Sequence, residues 1–284
     1  MKTLSQIDPG TPISAVPYTI TNSGSYYLTT NLTGTSGIQI NTNNVTLDLR
    51  GFAMSGNNSG AGILAQTDTT NIAVRNGSIT RWGEGLYAAF SENCQFDHLR
   101  LSQNGYGILA GDTAIVADCS AEGNSQDGFN FESGSIITHC VSRYNAGYGF
   151  NAGTEANVRD CIASYNGLDG ISIDRGVVRD CLAEGNTNNG ISTFINGLVV
   201  NNKCLNNKLA GITSGEGDNR IDGNDVTGNA SGILLNAATG NLVTRNTATE
   251  NGANYNIEAG NTVAPIISSA GIATNTNPYA NLTY

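Results

Sequence analysis

Positive charge is scarce: 13 Lys and Arg stand against 23 Asp and Glu in 284 residues, a net charge of −10. A nucleic-acid partner needs a basic stripe to neutralise phosphates, so that class is excluded. Docking on an anionic membrane surface fails by the same repulsion. A polyanionic substrate would need local bases or a bridging cation. Charge of both signs is low, at 13% of residues, yet Ile, Leu and Val recur throughout, and a chain with that apolar content is not disordered. No run of 18 apolar residues occurs, so no transmembrane segment is expected. After Lys2 the chain turns polar at once, through Thr3, Ser5, Gln6 and Asp8, so no export signal is expected in it. Helical periodicity is missing, as are a P-loop, a Cys-x-x-Cys pair and a His-Glu-x-x-His motif.

What the chain has in quantity is Gly, 36 residues, much of it at a regular interval. A Gly followed by an apolar residue stands at Gly37, Gly62, Gly85, Gly107, Gly128, Gly149, Gly170, Gly190, Gly211 and Gly232, spaced by 20 to 25 residues. Three or four residues ahead of most of these sits an Asn: Asn104, Asn124, Asn145, Asn166, Asn186, Asn207 and Asn229, with Asn251 continuing the series. Five residues before each Asn runs a second column: Leu99, Cys119, Cys140, Cys161, Cys181, Asn202, Asn224 and Asn246. Eight before runs an apolar one: Phe96, Val116, Ile137, Val158, Val178, Val199, Ile221 and Val243. Such repeats read as a solenoid. One coil cannot bury its apolar column alone; stacking on its neighbours does so and completes the backbone hydrogen bonds. Strands in adjacent coils lie roughly 4.8 Å apart, so each column becomes a ladder. Inward Asn side chains at a bend then hydrogen-bond from coil to coil.

The expected fold is all-β: a single-stranded right-handed parallel β-helix of about ten coils. The coils span 31–260, an N-terminal cap with one strand covers 1–30, and a capping tail covers 261–284. The repeat Gly-Ile-x-x…Val-x-x-Asn-x-x-x-x-Asn resembles that of the pectate-lyase-like superfamily. The opening Pro17-Tyr-Thr-Ile…Gly24-Ser-Tyr-Tyr-Leu and the segment Asn44-Val-Thr-Leu-Asp-Leu-Arg-Gly-Phe resemble a branch of secreted bacterial proteins. The resemblance covers nearly the whole chain. It implies the fold, a polysaccharide partner, and a secreted, periplasmic or cell-surface location. It does not select an activity, because such folds serve lyases, hydrolases, epimerases, tailspikes and non-catalytic surface proteins.

Four of the 6 Cys fall in one inward column, at Cys119, Cys140, Cys161 and Cys181. Sulfurs in a line cannot surround one tetrahedral zinc, and parallel side chains do not point at each other for disulfides. They are expected to be buried free thiols that fill space. Cys204 falls on another inward column, and Cys94 near a turn.

Chemistry in a solenoid belongs to its outward columns. Coils four to eight line up Asp127, Tyr148 and Asp169 just before the Gly-led strand, with Asn130 and Asn151 on it. Arg143, Tyr144 and Tyr165 lie on the approach. Tyrosines flanked by carboxylates and amides suit a sugar-binding groove, so these eight residues are the candidate substrate-binding set. Glu132 and Asp174 stand two coils apart, roughly 9.6 Å along the axis. That is the upper edge of the 6.5–9.5 Å between the carboxyls of an inverting glycosidase, roughly speaking, which makes them the candidate catalytic acid–base pair. Scattered surface acids that only aid solubility are the simpler account. An alternative site is the column His98, Asp118, His139, Asp160, where alternating His and Asp suit a metal or a proton relay; salt bridges from Arg159 to Asp160 and Arg179 to Asp180 explain part of it. No metal is assigned. Calcium is the one cofactor the acids admit.

Val141, Ile162 and Leu182 stack on an outward column although apolar, so the tail after residue 260 or a second subunit is expected to cover them. The Asp clusters of pectate lyases and the Gly-His-Gly motif of polygalacturonases are missing. Asp97-His98 with Arg100 is weakly similar to the acid–His pairs of alginate epimerases, without the surrounding motif. The function expected is engagement of polysaccharide, as a lyase or glycoside hydrolase; the alternatives are a non-catalytic structural or adhesion solenoid and a uronan epimerase-like enzyme.

Overall fold

The computed structural model describes residues 10–236 and 239–284. Short strands repeat three to a coil, and neighbouring coils pair in parallel, as Phe129–Phe131 does with Phe150–Ala152. One strand of each coil joins a 12-stranded sheet; the other two run in a 24-stranded sheet. A typical coil reads Phe150–Ala152, then Ala156–Arg159, then Ile162–Ser164. The molecule is a parallel β-helix of twelve such coils, two more than the Gly spacing shows. The extra strands are Tyr18–Ile20 and Ala253–Ile257. Pro17 and Asn254 stand where the other coils have their Gly, which hides both from a Gly-based count.

The Gly column has a packing cause. A Cβ on Gly149 would lie 2.5 Å from the Gly170 carbonyl oxygen and 2.7 Å from the Asn166 side-chain amide. Only a hydrogen fits where the strand enters against the Asn ladder. Inside, the apolar column from Phe96 to Val243 is fully buried. Phe129 stacks on Phe150 with ring centroids 4.9 Å apart. Each fully buried Val, Leu, Ile or Phe contributes about 1.5–3 kcal/mol, and the coils share that burial.

The Asn column is a ladder. Asn145 Oδ1 accepts from the Asn124 side-chain amide at 2.8 Å and from its backbone N–H at 3.0 Å. Asn145 Nδ2 in turn donates to Asn166 Oδ1 and back to the Ala121 carbonyl. Two further ladders are present. One runs Asn202, Asn224, Asn246, Asn281, and its last amide carries the chain's final strand. The other runs Asn219, Asn241, Asn261.

The end of the chain stays in the ladder. Strand Asn281–Thr283 pairs with Thr247–Ala248 on one side and Ile266–Ser268 on the other. Ahead of it, Asp222 is 1% exposed, holds Arg220 and Arg245, and accepts from Thr244 Oγ1 at 2.9 Å. The Arg245 backbone N–H donates to the Tyr279 carbonyl, so this clamp ties the tail to the last coils.

Candidate functional site

The bend columns explain why particular residues face outward. Within the 24-stranded sheet each coil turns a corner on one residue with positive φ. Asn76, His98, Asp118, His139, Asp160, Asp180 and Asn201 occupy it, all with φ between 51° and 60°. Asn, Asp and His enter the left-handed region more readily than most residues. The alternation of His and Asp therefore follows a backbone demand. His98 Nδ1 sits 3.8 Å from Asp97 of its own coil, and His139 Nδ1 contacts Thr138 Oγ1 at 3.1 Å. Asp160 pairs with Arg159 and Asp180 with Arg179. These groups engage neighbours within their own coil, and no group of three His, Cys, Asp or Glu able to hold a metal exists among the described residues.

A second left-handed column lies one residue before the Asn ladder. It holds Arg81, Gln103, Gly123, Tyr144, Tyr165, Gly185, Asn206, Gly228 and Glu250. Two tyrosines in this column, both at φ 56°, are out of character. They are 56% and 50% exposed, and their rings stack with centroids 5.3 Å apart at 8°. Tyr165 leans over Gly185, whose Cβ would meet the ring at 2.6 Å; on the other side Gly123 has nothing within 4 Å of its would-be Cβ. The column therefore presents a two-ring shelf beside a position without a side chain. Arg143 joins Glu122 at 3.1 Å next to it, an exposed pair of little energetic weight.

Tyr148 is half-buried between the Asp127 and Asp169 coils. Burial raises the Tyr148 hydroxyl, and the charges of Asp169 and Asp127 raise it further. Both carboxylates are buried, and each bonds to the coil that follows its own. Asp127 accepts the Tyr148 backbone N–H at 2.8 Å and the Asn130 amide at 2.7 Å. Asp169 accepts both the backbone and side-chain N–H of Asn189. Burial raises the Asp169 carboxyl, opposed by those Asn189 bonds. These acids thus act first as turn pins, while Asn130 and Asn151 sit paired and partly exposed on the outer face of the 12-stranded sheet.

Glu132 and Asp174 line different clefts. Asp174 lies in one of about 300 Å³ with Asn151, Gly153, Ser172, Ser192, Phe194 and Gly215. Glu132 lies in one of about 280 Å³ with Asp68, Phe90, Glu92 and Asp112. Gly153 occupies the coil between them, and a Cβ there would come 1.8 Å from the Glu132 carbonyl oxygen. Asp174 Oδ1 is buried without a hydrogen-bond partner. The exposed Phe90 and Phe194 line these clefts, and sequence reasoning did not single them out. The signal was present: Phe194 stands in an outward column where Gly215 on the next coil leaves it room.

Val141, Ile162 and Leu182 do stack outward, with Ile162 40% exposed. The tail does not cover them, because it is spent on the last coils. The six thiols are all free and buried. Cys140, Cys161 and Cys181 are pushed up by hydrogen bonds from neighbouring thiols and by burial, and Cys204 by burial. Burial also raises Cys94, to about 11.

With that geometry in view, similarity to known proteins can be placed. The solved A-module of mannuronan C-5 epimerase AlgE4 from Azotobacter vinelandii superposes with a TM-score of 0.61 at 15% identity, covering 92% of this chain and 86% of that one. The periplasmic alginate epimerase AlgG gives 0.62 at 12% identity, covering 96% and 76%. The catalytic domain of a GH87 α-1,3-glucanase gives 0.59 at 12%, covering 96% and 63%. At these identities the likeness is one of fold. No curated protein matches the chain in sequence. The family described as a right handed β-helix region matches residues 19–176, and the one described as periplasmic copper-binding protein (NosD) matches 111–279.

Copper does not fit the residues in that second stretch. Its soft donors are Cys119, Cys140, Cys161, Cys181, Cys204 and one imidazole, His139, with no Met. The thiols are core residues bonded to backbone carbonyls, as Cys161 Sγ is to the Arg159 oxygen at 3.1 Å, while His139 is exposed at the bend. A copper site needs such donors convergent and deprotonated. Each family match spans more than half of the 284 residues, and the chain belongs to the right-handed β-helix family, sharing its later coils with the NosD proteins.

Proposed function

We propose that this β-helix binds an extended polysaccharide around the bend that leads from its larger sheet to the 12-stranded one and onto the outer face of the latter, in a periplasmic or extracellular setting. The observation that carries the reading is the exposed Tyr144–Tyr165 shelf, held in a backbone conformation that tyrosine disfavours. Strain of that kind persists at sites of use, and flat aromatic faces are what the apolar faces of sugar rings stack on. Past that bend, the partly exposed Asn130, Asn151, Ser172 and Ser192 add amides and hydroxyls one coil apart on the 12-stranded sheet. Three structural neighbours support the same partner class, two being alginate or mannuronan epimerases and one an α-1,3-glucanase. One neighbour and one matching family carry a periplasmic description.

The strip also carries the carboxylates that a glycoside hydrolase or lyase would use, Glu132 and Asp174. A binding solenoid without turnover is the second reading, favoured by their separation into two clefts. A polysaccharide panel in native affinity gels tests binding, and assays for unsaturated ends and new reducing ends on the same panel test turnover. Retardation by at least one glycan is expected. Folded protein that runs unretarded in all of them refutes the binding function; product formation would decide for the enzyme.

A further inference from the structure

The charges of this molecule are segregated by sheet. The twelve strands of the smaller sheet, from Tyr18–Ile20 to Ala253–Ile257, contain no Lys or Arg, and Glu84 is their only charged residue. The turns that flank them in the middle coils add Asp127, Asp169, Glu132 and Asp174. The bases lie elsewhere: Arg75, Arg100, Arg143, Arg159, Arg179 and Lys203 all sit on strands of the larger sheet. The turns that flank the smaller sheet also hold exposed bases, among them Arg175, next after Asp174, and Lys208, two residues before Ala210–Ser214.

On that uncharged face the cleft at Asp174 is built for a ring with hydroxyls. Phe194 forms one wall at 46% exposure. Its ring lies over Gly215, where a Cβ would come 2.7 Å from Phe194 Cδ2. Gly153, on the opposite side of Asp174, also lacks a side chain, so the cleft stays open over adjacent coils. Asn151, Ser172 and Ser192 are direct register partners across its floor. Asp174 Oδ1 is a buried acceptor with no donor. Leaving such an atom unpaired is unfavourable, and Asp174 is held at that cost with the residue still partly exposed at the cleft.

We infer that this cleft is a subsite for one uncharged sugar ring, stacked on Phe194 and donating a hydroxyl to Asp174, so that the polysaccharide taken is neutral and not a uronan. The inference rests on the polysaccharide reading and narrows it. A uronan brings one carboxylate per sugar to a sheet whose strands hold no Lys or Arg and whose one charged residue is Glu84. No guanidinium stands on the sheet to fork that group.

Affinity gels at about 0.15 M salt, where exposed charges are screened beyond roughly 8 Å, test this with dextran, soluble β-glucan and galactomannan as neutral probes and alginate and polygalacturonate as uronan probes. Each is run with chelator and again with added calcium. Wild-type protein should be retarded by a neutral probe and by neither uronan. Phe194→Ala and Asp174→Ala, each with an unchanged circular dichroism spectrum, should weaken that retardation about tenfold or more, the equivalent of about 1.4 kcal/mol. Retardation by a uronan, with or without calcium, overturns the inference while leaving the polysaccharide reading standing. Neutral-probe binding that both variants retain also overturns it, because the subsite is then elsewhere. Absence of retardation by every probe removes the polysaccharide reading, and the inference falls with it.

Discussion

Replacing both shelf tyrosines, Tyr144→Asn with Tyr165→Asn, separates a functional role from a structural one. Position 206, in the same column, already holds Asn at φ 54°, so the replacement has a native precedent. A left-handed conformation costs an ordinary L-residue about 1–2 kcal/mol, and Asn tolerates it. Two substitutions therefore relieve about 2–4 kcal/mol. Against this stand the lost ring stack, about 0.5–1.5 kcal/mol, and the partial burial of two rings, about 1 kcal/mol each. The terms nearly cancel, and the double variant should match wild type within about 1 kcal/mol in urea unfolding. Trp82, the single Trp and fully buried, reports by fluorescence, and far-ultraviolet dichroism should give the same midpoint if unfolding is two-state.

Glycan retention should behave differently. If the shelf is a platform, its removal should weaken retardation about tenfold or more, a loss of about 1.4 kcal/mol. A drop in stability beyond about 3 kcal/mol would refute the bookkeeping, since that size belongs to groups that hold a core together. Unchanged retention with unchanged stability would refute the platform. Only a near-neutral stability effect paired with lost retention agrees with a strained position kept for use.

Three further outcomes follow from the buried groups. The neutral thiols are favoured by the fold, with Cys94 raised from about 9 to about 11, so stability is full below pH ~9 and falls as pH rises above it, by about 1.4 kcal/mol per unit per thiol; Cys161→Ala should flatten that alkaline slope, and thiol reagent should react with native protein slowly and with denatured protein fully without reductant. Hydrogen bonds from Arg245 lower the Asp222 carboxyl to about 2, so its contribution of about 2 kcal/mol is present above pH ~4 and lost as pH falls toward 2; Asp222→Asn should remove it at neutral pH, read as a lower urea midpoint with no further acid loss from this site. Asn166→Ala strips the Asn145 backbone N–H and the Ser142 carbonyl of their partners, two buried groups at about 1–3 kcal/mol each, and a loss under about 1 kcal/mol in urea unfolding would show that the ladder adds little.

The fold was legible because stacking turns a spacing into a contact. A residue 20 to 22 positions away is a neighbour across a ladder, as Phe129 is to Phe150 and Asn145 to Asn166, so columns read from the sequence became packed or hydrogen-bonded rows without adjustment. The two coils missed by counting, at Tyr18–Ile20 and Ala253–Ile257, lack the Gly and were lost with it. The Asn219–Asn241–Asn261 ladder was also missed: Asn219 and Asn241 stand ten residues before Asn229 and Asn251, but at that offset the earlier coils hold Ser135, Ala156, Gly176 and Gly197, so no Asn column shows there. Asp222 was hidden for another reason: Arg220 and Arg245 lie on its own and the next coil, and sequence shows proximity there but not which acid is buried.

The candidate site was legible only in part, because a column states who is adjacent and not what the backbone demands of it. His98, Asp118, His139 and Asp160 looked like chemistry and occupy a bend that requires positive φ, a sufficient reason for Asp and a fair one for His. Asp127 and Asp169 looked like groove residues and pin the backbone of the next coil. Once such demands are subtracted, what remains is the residues that break them. Tyr144 and Tyr165 take a position that their column otherwise gives to Gly, Asn and flexible polar or charged side chains. Phe194 stands bare over the Gly215 of the next coil, and Asp174 keeps a buried oxygen that no protein group satisfies. A regular solenoid gives every coil the same local problem, so a coil that solves it at a cost identifies itself. These four lie on coils that run consecutively from Tyr144 to Phe194, and that contiguity is what one extended ligand requires and what independent local accidents would not produce.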